Sequence, residues 1–142
     1  RCAEPAMADL QTRAQQRDQH VFLDDSAEIM LEADGDGAGR DYHQIVVNSD
    51  GVVFDGRGFD KTVDVAGLRT ATAVHEDHWI VEIAIPWTGV GLDGPPQEAG
   101  ILLGRNRHAG GEHEIYQFPL SPIGNHAPGN FARLRTDAGE EP

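Results

Sequence analysis

Trp79-Ile80-Val81-Glu82-Ile83-Ala84-Ile85-Pro86-Trp87 decides the class of this chain. Successive side chains of a strand point to opposite faces, so Trp79, Val81, Ile83 and Ile85 share one face while Ile80, Glu82 and Ala84 share the other. Pro86 has no amide hydrogen to give a ladder and ends the run. The stretch therefore reads as a core strand of a β-sandwich with its Trp79 face inward. Thr70 to His75 alternates just before it, and Glu76-Asp77 supplies the turn of an antiparallel hairpin.

Working outward, Ala27, Ile29 and Leu31 alternate with Ser26, Glu28, Met30 and Glu32 in a strand that follows the acid pair Asp24-Asp25. Its even-numbered side reads as the polar face. Asp34-Gly35-Asp36-Gly37-Ala38-Gly39 turns the chain into a strand over Tyr42 to Val47. Asn48-Ser49-Asp50-Gly51 is a hairpin signal leading into Val52-Val53-Phe54. Residues 55–68, glycine-rich and polar, are expected to loop, as are residues 89–100 with their Pro95-Pro96 pair. Ile101 to Gly104, His113 to Phe118 and Phe131 to Arg135 supply further strands, with a Pro- and Gly-rich loop over 119–129. Residues 4–18 read equally as a poor helix, with Pro5 near its start, or as a long loop. Residues 136–142 read as a solvated tail. The expected fold class is all-β, one antiparallel β-sandwich domain over residues 1–135.

The 142 residues suit one core, and 17 glycines and 8 prolines cut the chain into pieces too short for long helices. Asp and Glu number 24 against 11 Lys and Arg, a formal charge of −13 that opposes both the phosphate backbone and anionic lipid. Neither nucleic acid nor a membrane is an expected partner. Cys2 is the single cysteine, so no intrachain disulfide forms. No apolar stretch approaches the roughly 20 residues a spanning helix needs, and no leading signal peptide is present, so a signal for export would lie outside these residues.

Five segments carry a resemblance. They are Asp24 to Ile29; Tyr42 to Asn48 with Gly51; Trp79 to Trp87; Gly104-Arg105-Asn106-Arg107; and His126 to Leu134. In this order, across about residues 20 to 135, they resemble the family 9 carbohydrate-binding modules and their wider DOMON-like relatives. The resemblance implies an antiparallel β-sandwich, non-catalytic sugar binding, no cofactor, and an extracellular or periplasmic location. It also implies additional strands ahead of Arg1, so that this sandwich is expected to be shortened at its front, with those strands absent or supplied by another chain.

Sugar recognition needs a flat aromatic surface against the CH face of a pyranose and fixed polar groups for its hydroxyls. The resemblance puts Phe22 in one half of an aromatic clamp and the loop Gly124-Asn125-His126 in the other, with His126 where a stronger binder has tryptophan. It also matches Glu28 to an acid that accepts from sugar hydroxyls. Val46 stands where a strong binder has a charged side chain; Gln44, Asn48, Arg107 and His108 are the candidates to compensate, although each also reads as structural or surface. The expectation is weak, calcium-independent binding of a sugar or oligosaccharide terminus.

Other chemistries find less support. Asp34, Asp36 and Asp41 gather oxygen ligands but lack the glutamate twelve positions after the first ligand, and read as a plain acidic turn with no metal. The seven histidines match no familiar zinc spacing. No nucleophile elbow or phosphate-cradling loop gives catalysis a foothold. Two alternatives stay open: a haem-binding sandwich with Met30 as axial ligand and Lys61 or His126 as its partner, and a ligand-free accessory domain that packs on a neighbour.

Overall fold

Two antiparallel sheets enclose a shared core in the computed structural model of the protein, which describes residues 1–136. The tail expected from residue 136 onward falls, Thr136 excepted, outside these residues. The smaller sheet has the order β1 (Cys2–Ala3), β6 (His78–Ala84), β5 (Arg69–Val74). The larger runs β4 (Val53–Arg57), β3 (His43–Asn48), β2 (Ser26–Glu32), β7 (Glu98–Arg107), β8 (Glu114–Phe118). β9 (Ala132–Arg135) pairs with β7 over Glu98 to Ile101, and β8 takes the same edge over Leu103 to Arg107. Among the described residues there is no α-helix, only 3-10 turns, and no helix is long and apolar enough to cross a membrane. The all-β antiparallel sandwich expected from alternation is the observed class.

β6 behaves as its alternation requires. Trp79 is fully buried, Val81, Ile83 and Ile85 pack against the core of Leu31, Ile45, Val47 and Val53, and Glu82 and Ala84 face solvent. Burial along this face fades after Trp79 because β1 pairs only with His78 and Trp79. The hairpin to β5 pairs Val74 with Trp79 and Thr70 with Ile83.

β2 departs from the expectation of one polar face. It is hydrogen-bonded on both sides, to β3 and β7, and Ser26, Glu28, Met30 and Glu32 are buried although they point away from the smaller sheet. That outer face is covered by the segment 10–23, whose Ala14 and Val21 pack with Val46 and Phe54, and around Met30 by Tyr42, Leu102 and Phe131. A polar group there must find a partner inside the protein.

Residues 4–18 are not helical apart from a 3-10 turn at Met7–Asp9. Their Gln- and Arg-rich sequence offers no apolar stripe, and their amides are taken by side chains instead. Asp24 accepts from the amides of Arg13 (2.8 Å) and Ala14 (3.0 Å), and Asp25 from that of Gln11 (2.8 Å). The acid pair thus clips the N-terminal segment to the sheet.

Two strands outrun their sequence signals. β4 continues through Asp55, Gly56 and Arg57, where the composition suggested a loop; a Cβ on Gly56 would lie 2.8 Å from the Asp60 carbonyl oxygen, so only glycine admits the returning chain. β7 begins at Glu98, inside the expected loop, because β9 supplies it a partner from far along the chain.

Candidate functional site

Glu28 is the anchor of a pocket of about 400 Å³ on the outer face of the larger sheet. It sits at the middle of β2, opposite Val46 on one neighbour and Gly104 on the other. Gly104 leaves room for it: a Cβ there would meet the Glu28 Cβ at 3.3 Å and Oε2 at 3.4 Å. Only 3% of Glu28 is exposed, and both oxygens are held, Oε1 by the Gln44 amide at 2.6 Å and Oε2 by the Asn125 amide at 2.6 Å. Gln117 donates in turn to Asn125 Oδ1, so the 125 loop is tied to β8. Burial pushes the Glu28 carboxyl up from its usual range, while the hydrogen bonds from Gln44 and Asn125 pull it back. The result is a fixed acceptor with spare lone pairs at the pocket floor.

Aromatic rings form the walls. Phe22 meets Phe54 edge-on, with centroids 6.1 Å apart at 89°, and both line the pocket. Across it Phe59, 57% exposed, stacks on His126 at 4.6 Å and 28°. His126 Nδ1 shares a 2.7 Å hydrogen bond with the Tyr42 hydroxyl, and desolvation lowers the pKa of its ring. The Arg40 guanidinium lies 4.8 Å from the Phe59 centroid, and Lys61 Nζ 5.9 Å from that of Phe54. Leu23 and Ile115 add an exposed apolar rim.

The structure brings Phe22, Glu28, Gln44, Asn125 and His126 around this one pocket. It places the other three candidates elsewhere. Asn48 donates to Asp24 (2.9 Å) and accepts from the Val52 amide (2.8 Å), closing the β3–β4 hairpin. Arg107 is the hub of an ion cluster with Glu4 (2.8 Å) and Glu114 (2.5 Å), and its hydrogen bond holds the Glu4 carboxyl below its usual range. His108 stacks on His113 at 4.2 Å, with its amide on Asp25. Val46, the position that lacks a charge, is fully buried against Phe54 and does not line the pocket. Met30, the axial-ligand candidate, is enclosed by Tyr42, Leu102 and Phe131 and does not line the pocket.

Phe59 was hidden from the sequence reading because it lies in the stretch set aside as loop. An aromatic between glycines and charges, Gly58-Phe59-Asp60-Lys61, was the available signal: such a ring has no core to enter and stands on the surface to meet something.

The pH dependence of Glu28 follows from its burial. Its folded pKa is raised above the unfolded value, so its contribution to stability is fully present below the ordinary carboxylate pKa of 4.5 and is lost as pH rises through the folded value. Glu28→Gln removes that loss. Urea unfolding is expected to show the variant gaining on the wild type between pH 4.5 and pH 8, and a constant difference would refute the assignment.

Neither a family model nor a curated protein sequence matches this chain. Solved structures do. A family 9 carbohydrate-binding module from Caldicellulosiruptor kristjanssonii in complex with cellotriose superposes with a TM-score of 0.68 at 20% identity, over 94% of this chain and 69% of that one. The same organism's module in complex with glucose gives 0.64 at 20% identity, over 94% and 70%. A Bacteroides uniformis protein named for carbohydrate binding gives 0.65 at 14% identity, over 89% and 67%. The chain therefore has a β-sandwich like that of the family 9 carbohydrate-binding modules.

Proposed function

We propose that the protein is a non-catalytic carbohydrate-binding module of an exported protein, which holds the terminus of a sugar or oligosaccharide in the Glu28 pocket. The observation that carries this reading is a buried carboxylate, anchored by Gln44 and Asn125, at the floor of a cleft walled by Phe22 and Phe59. Adjacent hydroxyls of a pyranose suit the carboxylate, and its CH faces suit the rings. Phenylalanine and histidine offer less stacking area than tryptophan, so the affinity lies near millimolar, roughly −4 to −5 kcal/mol.

Amide NMR titration with glucose, xylose and short cello- and xylo-oligosaccharides tests it. Shifts are expected to cluster on residues 22–28, 58–61 and 122–128, and Glu28→Ala or Phe59→Ala is expected to weaken binding about tenfold, as loss of a charged hydrogen bond or a stacking face does. Silence across that panel would sink the sugar reading.

A second reading, an accessory domain packed on a neighbour, is favoured by one surface. Leu103, Tyr116 and Phe118 lie in register on the inward side of the larger sheet yet stay exposed. That row is an apolar seat for further polypeptide and is compatible with a sugar pocket on the opposite face.

A further inference from the structure

Lys61, the single lysine of a chain with a formal charge of −13, lines the pocket and pairs with no acid. Among the described residues most cations are drawn to carboxylates: Arg17 to Asp18, Asp55 and Asp64, Arg105 and Arg107 to Glu4, Arg133 and Arg135 to Glu98. Lys61 and Arg40 are not among them. Even the adjacent Asp60 is committed elsewhere, since its Oδ1 accepts from the Thr62 amide at 2.9 Å and from the Thr62 hydroxyl at 2.6 Å.

Both free cations stand over rings of the pocket. Lys61 Nζ lies 5.9 Å from the Phe54 centroid and the Arg40 guanidinium 4.8 Å from that of Phe59. Such a contact at an exposed site is worth about 0.5–1 kcal/mol, which biases where the charge stands and leaves its N–H donors to water or a ligand.

The sheet register sets the distance from these charges to the buried acid. Glu28 faces Val46 and Val46 faces Phe54, so the backbones of Glu28 and Phe54 are two strand spacings apart, roughly 10 Å. A pyranose about 5 Å across with a hydrogen bond of about 3 Å at each end has that length. Glu28, already held by Gln44 and Asn125, accepts from hydroxyls at one end. The other end meets a group that only donates. A neutral hydroxymethyl answers it with one ordinary hydrogen bond, a carboxylate with a charge-assisted one.

We propose that the pocket prefers a sugar terminus that carries a carboxylate, a uronic acid, with its acid group at Lys61, its hydroxyls at Glu28 and the Arg40 charge at the Phe59 wall. This names the ligand class of the Glu28 pocket and rests on the carbohydrate reading. The ligand's charge lies at the end of the pocket away from the Glu28 carboxylate. The repulsion of the distant surface acids is largely screened, because the Debye length is about 10 Å at 0.1 M salt.

The test titrates the protein with methyl β-D-glucuronide and methyl β-D-glucoside, which differ only at C6, and follows amide NMR shifts at pH 7. In low salt the glucuronide is expected to bind about five- to tenfold more tightly, as one charge-assisted hydrogen bond allows, and 0.5 M sodium chloride should shrink that advantage. Lys61→Met should remove the preference and Lys61→Arg should keep it. Arg69→Met removes the same charge from β5, in the other sheet, and should leave the preference intact. An amide spectrum of Lys61→Met that matches the wild type away from residues 58–63 shows that its lost preference is not lost folding. A glucuronide that binds no more tightly than the glucoside, a preference that survives Lys61→Met, or one that Arg69→Met removes equally would overturn the proposal. Glucoside shifts on residues 22–28 without that preference leave the pocket reading standing, whereas silence from both glycosides removes the pocket reading and this proposal with it.

Discussion

Trp79→Ala is expected to lower the unfolding free energy by about 3–5 kcal/mol, the range for deleting a large buried aromatic. Trp79 is fully buried on the inward face of β6, between the β1 pairing at Cys2 and the β5 pairing at Val74. No other inward side chain of β6 is as buried, so the loss concentrates there. Its indole N–H is enclosed without an acceptor among the described residues, which means that the native tryptophan carries a polar penalty that alanine removes. Trp79→Phe separates the two effects: it keeps most of the ring and drops the orphan donor, and should cost under about 1.5 kcal/mol. Urea unfolding monitored by far-UV circular dichroism reads both. Equal losses in the two variants would show that ring volume is not what Trp79 supplies.

Asp25→Ala comes next in size. Its carboxylate accepts from the amides of Gln11 (2.8 Å), His108 (3.0 Å) and Ala109 (3.2 Å), joining segments more than 80 residues apart in sequence. Each hydrogen bond to a charged group contributes about 1.5–3 kcal/mol, and orphaned buried amides bear their desolvation cost in full. Because the three share one side chain their losses do not add, and about 3–5 kcal/mol is expected. Asp25→Asn retains one acceptor oxygen and should fall between alanine and wild type. Hydrogen exchange at Gln11, His108 and Ala109 should accelerate together; acceleration at Gln11 alone would show that the clip does not act as one unit.

That Asp25 anchors the backbone was not legible in the sequence, where an acid pair before a strand looks like any polar lead-in. Which amides a carboxylate meets is set by tertiary placement, and residues 11 and 108 have no local link. The strands were legible where alternation is a local property, as in the β5–β6 hairpin and β2. Glu28 and Glu32 were legible as acids on one side of a strand, but not as buried ones, since their cover comes from the N-terminal segment and from residues beyond 98. The structural role of Arg107 could not be assigned from local sequence because its partner Glu4 lies 103 residues earlier. Asn125 and His126 reach the pocket from a loop that composition alone leaves unplaced, and Phe59 escaped notice because glycine-rich neighbours suppress every periodic signal.

The pocket is built from parts of unequal permanence. Glu28 belongs to a strand bonded along both edges, and neither its position nor the glycine opposite can change without disturbing the sheet. Phe59, Lys61 and His126 lie outside the named strands, the first two beside the single bridge that joins Asp60 to Arg57. Selection can therefore re-cut the walls while the floor stays put, and descendants of such a domain would diverge in which ligand they prefer long before they diverge in shape.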